Sequence, residues 1–396
     1  LATIGVTALT AGAAYAQSTP ATPPAAPATA PAAPAAVTLN GPAMSVPLSL
    51  SSPPFSFDAG PLGKWYLSGA LTGLGIVQSN PIASDNGGQA DLSNGMIFVQ
   101  KVDGTLQFFA AAGGYTFPTV GTGYVPVKDA LSDYYGVVPV AYGKVVLNSS
   151  FSIEAGKLFT LIGYEGLFTY QNMNIERGLL WNQEPAVSRG AQVTYTSGAW
   201  TVNVSLNDGY YSNVYNWVDG SVAYAINSAN TISFVGGGNL GHTATSAFAT
   251  PVPQNNGSIY NIIYTYASGP WTVTPYLQIN DVPSHAAYGY TKGGSEVGGA
   301  LLANYNVNSN WSLSGRFEYL SSSGSPTDGT PNLTFYGAGS SAFSFTLTPT
   351  YQFNRFFVRP EVSVTSLSNI TPGDGFGHDG TAKTQVRGLV EAGVLF

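Results

Sequence analysis

The chain has 396 residues, only 8% of them charged, with no cysteine, 48 glycines, 24 tyrosines, 20 phenylalanines and a formal net charge of -7. A soluble domain spends about 25% of its residues on Asp, Glu, Lys and Arg, so this composition cannot clothe a normal water-facing surface. The 13 Lys and Arg form no basic run, which argues against nucleic acid as a partner, and without cysteine there is no disulfide framework, thiolate metal site or cysteine nucleophile.

Residues 1–16 (LATIGVTALTAGAAYA) are small and apolar and end in Ala14-Tyr15-Ala16, the small-x-small pattern that signal peptidase accepts. They read as the remnant of a signal peptide cleaved after Ala16, and export follows. Residues 17–36 (QSTPATPPAAPATAPAAPAA) cannot bury a core and favour extended, polyproline-like conformations, so they read as a periplasmic spacer. Residues 37–63 are an irregular lead-in or a short plug. Nowhere is there an uninterrupted apolar run of about 18 residues, the minimum for a spanning helix.

From Lys64 onward the pattern becomes runs rich in Val, Ile, Thr, Tyr and Phe, separated by Gly, Asn, Asp, Ser and Pro. The runs predict sixteen strands, at 64–77, 92–102, 105–117, 137–147, 150–160, 188–196, 200–208, 217–226, 231–240, 258–266, 271–281, 295–306, 311–320, 341–352, 356–367 and 383–396. Their connections alternate between long gaps and tight turns such as Asp103-Gly104 and Ser197-Gly198-Ala199. An even strand count, short turns on one side and long loops on the other define an antiparallel up-and-down barrel of the outer membrane, 64–396, with short periplasmic turns and long external loops. Side chains alternate to match: Trp200, Val202, Val204 and Leu206 fall on one face, Thr201, Asn203, Ser205 and Asn207 on the other. A soluble sandwich would put charge outside; here the polar faces are Ser, Thr, Asn and Gln, and only closure pairs every backbone group inside lipid. At sixteen strands the lumen admits water.

Aromatic residues near strand ends, among them Trp65, Tyr66, Trp200, Tyr210, Tyr211, Trp217, Tyr260, Trp271, Trp311 and Tyr319, are expected to form the interfacial girdles of such a barrel. The last segment, closing VEAGVLF at Phe396, carries apolar or small residues at alternate positions and resembles the C-terminal signal read by the outer-membrane insertion machinery.

The segments NMNIERGLLWNQEPA (172–186) and RGAQVTYTSGAWTVNVSLNDGYYSNVYNW (189–217) resemble the OmpL-like family of β-barrel porins of Gram-negative bacteria, a similarity that covers most of 64–396. It implies an outer-membrane diffusion porin without naming a solute. The architecture also resembles that of known sixteen-stranded porins, in which the loop after the fifth strand folds inward. By that analogy Glu165, Glu176, Arg177 and Glu184 would line a constriction, with Asn172, Asn174 and Trp181 suited to hydroxylated solutes; an exposed external loop is the alternative.

A second group falls on the lumen parity of late strands: Arg316 and Glu318, Arg359 and Glu361, then Lys383, Arg387 and Glu391, joined by Glu154 and Arg189. A Lys or Arg facing lipid at mid-depth costs about 2–4 kcal/mol, so these wall charges should point into the lumen. Their signs nearly balance, which leaves neutral ion pairs and a selectivity ring both open. Small residues in SGALTGLG (68–75) and FFAAAGGY (108–115) predict either a homotrimer contact or room for the inward loop. Catalysis has little support, since His242, His285 and His378 all fall in expected external loops, and neither a cofactor nor a metal site is expected. The expected partners are outer-membrane lipid, small hydrophilic solutes, the insertion machinery and further copies of the chain. The rival readings are a solute-specific channel, a plugged structural or adhesive barrel, and a secreted soluble β-solenoid.

Overall fold

A computed structural model describes residue 39, residues 47–50 and residues 54–396. The expected export segment and Ala/Pro spacer lie outside the described residues. A short strand, β1 (Phe55–Asp58), precedes sixteen longer ones: β2 (Lys64–Gln78), β3 (Gly88–Lys101), β4 (Leu106–Tyr115), β5 (Val140–Val146), β6 (Phe151–Phe159), β7 (Val187–Ser197), β8 (Trp200–Asn207) and β9 (Trp217–Asn227). The second half comprises β10 (Asn230–Asn239), β11 (Ser258–Ser268), β12 (Trp271–Val282), β13 (Gly294–Asn306), β14 (Trp311–Ser322), β15 (Ser341–Phe353), β16 (Phe356–Ser368) and β17 (Thr384–Leu395). Each predicted strand overlaps one of these, β3 starting four residues earlier than expected. The four-residue β1 was not anticipated.

Every neighbouring pair from β2 to β17 is antiparallel, and β17 returns to β2, from Arg387 opposite Gln78 to Leu395 opposite Ala70, so the sixteen strands close into a barrel. Closure leaves no sheet edge in lipid, where an unpaired backbone group costs several kcal/mol. The strict alternation of side chains sets the register, because a one-residue slip would turn each polar row outward. In β15, Ser344, Thr346 and Thr348 are fully buried inside while Phe343 and Phe345 face out at 40% and 46% exposure. Beyond the membrane-exposed strands, no helix among the described residues is long and apolar enough to span a membrane.

At the periplasmic ends, aromatic rings pair across strands on the outer face: Trp200 with Tyr224 at 4.5 Å, Trp271 with Tyr305 at 4.6 Å, Trp311 with Tyr351 at 4.9 Å. Such contacts pair rings at the depth of the lipid headgroups, where an amphipathic ring is favoured. Four residues expected in the girdles do not belong to them. Tyr66, Tyr210 and Trp217 are buried inside, and Tyr211 stacks on the Arg189 guanidinium. Tyr66 falls on the inward parity of its strand, and Tyr210 and Tyr211 belong to the loop after β8 rather than to a strand end.

Candidate functional site

The lumen is built around the segment 160–186 between β6 and β7. Every one of its residues is buried except Asn182, which is partly so. Two short 3-10 turns, Thr169–Gln171 and Leu180–Gln183, compact it. Asn172 closes the first of its bends, donating Nδ2 to the Gly166 and Phe168 carbonyls and accepting the Gly166 N–H on Oδ1. The loop crosses the lumen from β6 to the opposite wall and comes back to β7.

Its first contact is at β11, where the Gly163 N–H donates to Asn261 Oδ1 at 3.1 Å. It then meets three arginines of the far wall. Arg316 on β14 lies 2.5 Å from Glu165 of the loop and 3.1 Å from Glu318 on its own strand. Arg359 on β16 sits directly opposite Glu391 on β17, pairs with it at 2.6 Å, and donates to the loop carbonyls of Thr169 and Asn172. Arg387 on β17 pairs with Glu176 of the loop at 2.8 Å.

The wall carboxylates complete the clasp from the other direction. Glu361 accepts the N–H groups of Ile175 and Glu176, and Glu318 those of Leu179 and Leu180. Charge-assisted bonds of this kind are roughly twice as strong as neutral ones. Gly178 makes the second approach feasible: a Cβ there would lie 2.0 Å from Glu318 Oε1. On its return the loop bonds Gln278 on β12 through the Leu180 carbonyl, and Glu184 lies 3.4 Å from the Tyr276 hydroxyl.

The expected loop residues therefore divide. Glu165, Glu176 and Asn174 bind the wall, Asn174 through Thr348 at 2.7 Å. Arg177 turns inward on its own loop, donating to the carbonyls of Gly166, Leu167 and Ile175. Its guanidinium lies 5.9 Å from the Trp181 ring. The wall charges Arg316, Glu318, Arg359, Glu361, Arg387 and Glu391 all point inward, but they are at most 4% exposed and are occupied by the loop and by one another rather than standing in open water. Glu154 points inward and pairs with Lys144 at 3.7 Å. Arg189 does not join the lumen row: it shares its face of β7 with the outward Ala191, Val193 and Tyr195, and pairs there with Asp208 of the loop after β8 at 2.7 Å. Lys383 does not belong to that row either. It is exposed, the last residue of the external loop before β17, because the strand begins one residue later than expected.

A second loop enters with the first, against the expectation that the long connections are external. In the segment after β4, Thr119 bridges to Arg177 in parallel: the Arg177 N–H donates to the Pro118 carbonyl and the Val120 N–H to that of Arg177. Arg387 holds it too, through the Thr119 carbonyl at 2.7 Å. The run YTFPTV (115–120) is too apolar for a water-exposed loop, and that was the available signal. Beneath it, Phe98, Phe109, Tyr115, Phe159, Phe168 and Tyr170 form an aromatic cluster between the walls of β3, β4 and β6 and the inward loop.

The walls of β7 to β12 are different. Their inward rows carry mostly neutral amides and hydroxyls bonded sideways to one another: Thr194 to Asn203 at 2.7 Å, Asn203 to Ser221 at 2.9 Å, Asn261 to Gln278 at 2.8 Å. Asp219 of β9 is the one acid among them.

A closed barrel with an apolar exterior, a polar interior and a loop folded across its lumen is the build of an outer-membrane porin. The chain belongs to the family described as "Putative beta-barrel porin-2, OmpL-like", whose model matches residues 64–396. It is thus an outer-membrane protein of the porin class. Among solved structures, the OmpF of Salmonella typhi, in complex with daunomycin, is similar at 12% identity and a TM-score of 0.56, over 84% of this chain and 98% of that one. The outer-membrane channel DcaP of Acinetobacter baumannii matches at 9% identity and 0.55, over 85% and 99%. OmpT of Vibrio cholerae matches at 13% identity and 0.55, over 87% and 100%. At such identities the likeness is one of fold. No curated protein matches the chain.

Proposed function

We propose that this porin lets small hydrophilic solutes cross the outer membrane passively, with the 160–186 loop as its constriction and the β7 to β12 wall as the face along which solutes move. The observation that carries this reading is that the charged anchorage of the loop is one-sided: Arg316, Arg359 and Arg387 bind carboxylates and carbonyls of the loop, while β11 and β12 meet it through the neutral side chains of Asn261, Gln278 and Tyr276. The anchored side is filled by side chains, and the neutral amides of the other side suit hydrated or hydroxylated solutes. The wall charges then serve to hold the loop. The reading is non-enzymatic: His242, His285 and His378 stand in external loops, away from any rigid wall. Planar-bilayer recording of the purified protein tests it. Stepwise ohmic current is expected, and an electrically silent protein would leave a plugged structural barrel in its place.

A specific contact favours a partial plug in residues 37–63. Leu48 is 3% exposed, packed in the cluster that contains Phe98 and Phe357, and Ser49 exchanges two backbone bonds with the Gln352 side chain, at 2.9 and 2.6 Å. The lead-in thus narrows the periplasmic mouth in this reading. Assembly as a homotrimer through β2 to β4 and β17 is supported by Gly73, Gly75, Ala110 and Ala112 on the outer face; cross-linking in native membranes should give a trimer band. Recognition by the insertion machinery is assigned to the terminal strand and Phe396.

A further inference from the structure

Resting on the porin reading, we infer that the channel prefers cations, and that Asp219, Glu184 and Glu296 set the preference. Charge inside the barrel is segregated. On the anchored side Arg177, Arg316, Arg359 and Arg387 stand against Glu165, Glu176, Glu318, Glu361 and Glu391, and that set is close to neutral. Lys144 is answered by Glu154, and Arg189, on the outward parity of β7, by Asp208. Asp219, Glu184 and Glu296 have no basic group within ion-pair distance among the described residues; Asp91 of β3 has none either, but its carboxylate is taken up by the Val127 N–H and the Tyr124 hydroxyl.

All three lie toward the external half of the lumen. Asp219 is the third residue of β9 and Glu296 the third of β13, each counted from the loop end, and Glu184 is on the returning limb of the inward loop. Glu184 faces the Tyr276 hydroxyl of β12, the strand beside that of Glu296, and neighbouring side chains flank all three. Asn280 of β12 donates to Glu296 at 3.0 Å, and Asn207 of β8 to Asp219 at 3.0 Å. Tyr210 donates to the carbonyl of Gln183, the neighbour of Glu184, at 2.6 Å, while its ring meets Trp217 edge-on at 5.5 Å, two residues before Asp219.

The same region holds buried polar atoms with no hydrogen-bond partner among the described residues: Asp219 Oδ1, Glu184 Oε2, Glu296 Oε2, Asn280 Oδ1, Gln183 Nε2, Trp217 Nε1 and Asn255 Nδ2. Buried polar groups are nearly always satisfied, so this set of atoms calls for water and ions. Four of the seven are oxygen acceptors, three of them carboxylate oxygens, which solvate a cation and not an anion. In a passage with low-dielectric walls, fixed carboxylates raise the local concentration of cations and exclude anions.

The test is the reversal potential of the full chain across a tenfold KCl gradient at pH 8. Potassium is expected to be favoured over chloride. The Asp219→Asn/Glu184→Gln/Glu296→Gln protein should lower that permeability ratio on the order of threefold toward unity, and Glu296→Gln alone should lower it part of the way. The isosteric amides keep the shapes of the side chains, and unchanged heat-modifiable migration would verify folding. Current with no preference or an anion preference would overturn the inference and leave the porin reading standing. A cation preference that survives in the triple variant would overturn the assignment to these residues, and absence of current would overturn both readings together.

Discussion

The two sides of the lumen solve different problems with the same alternating strand pattern. From β14 round to β17 the inward row carries Arg316, Glu318, Arg359, Glu361, Arg387 and Glu391, each bound to the inward loop or to a neighbour. From β7 to β12 it carries mostly Thr, Ser, Asn and Gln bonded along the wall. A buried ion pair adds little net stability over an apolar replacement, yet it is costly to break, because the surviving charge is left buried and alone. The charged wall therefore specifies where the loop lies, and the neutral wall is the one we propose solutes pass along.

Removing one anchor should separate the two walls most sharply. Arg359→Ala strands Glu391 and frees the Thr169 and Asn172 carbonyls, at a cost of about 3–5 kcal/mol; we expect a lower Tm of heat-modifiable migration and larger, noisier single-channel current. Gly178→Ala tests the same docking from the loop side. Its Cβ would fall 2.0 Å from Glu318 Oε1, an overpacking worth about 1–3 kcal/mol, and it should raise conductance without touching a charge. A Gly178→Ala protein with unaltered conductance would show that the loop position is not what limits flow.

On the neutral wall, Asn203→Ala removes bonds to Thr194 and Ser221. The loss should be about 1 kcal/mol, with a conductance change far smaller than that of Arg359→Ala; an equal change would erase the distinction between the walls. The smallest effect is expected outside the lumen altogether. Trp200→Ala, opposite Tyr224 in the periplasmic girdle, should cost about 0.5–1.5 kcal/mol of ring contact and leave single-channel conductance where it was.

The strands were readable because each carries its own period of two and its own turn, so β15 and β8 reveal their inner faces without reference to anything distant. Arg189, expected inside, falls on the outward face of β7, but which charges of β14 to β17 lie inside followed from the same parity. What they bind did not. Arg387 meets Glu176 across 211 residues and Arg316 meets Glu165 across 151, distances over which only the closed barrel fixes the partner. Parity also failed where the strand had ended, as at Lys383, and for aromatic residues that sit near a turn but face in, as Tyr66 does. Asp219 and Glu296 lie on the inward parity of β9 and β13 and could have been found; each is a single acid among neutral neighbours, which made it inconspicuous.

The seam between β17 and β2 has one further consequence. Phe396 exchanges backbone bonds with Gly69, where a Cβ would lie 2.5 Å from the terminal ring. Below that point β2 runs on for several residues with no β17 beside it, and β1 takes the vacant place, Phe55 opposite Leu67 and Asp58 opposite Lys64. A fragment starting at Lys64 would keep every barrel strand yet bare a row of backbone donors and acceptors at the inner leaflet, an invitation to pair with a stranger's strand. Four modest residues thus act as a selvage, finishing the fabric where the weave runs out.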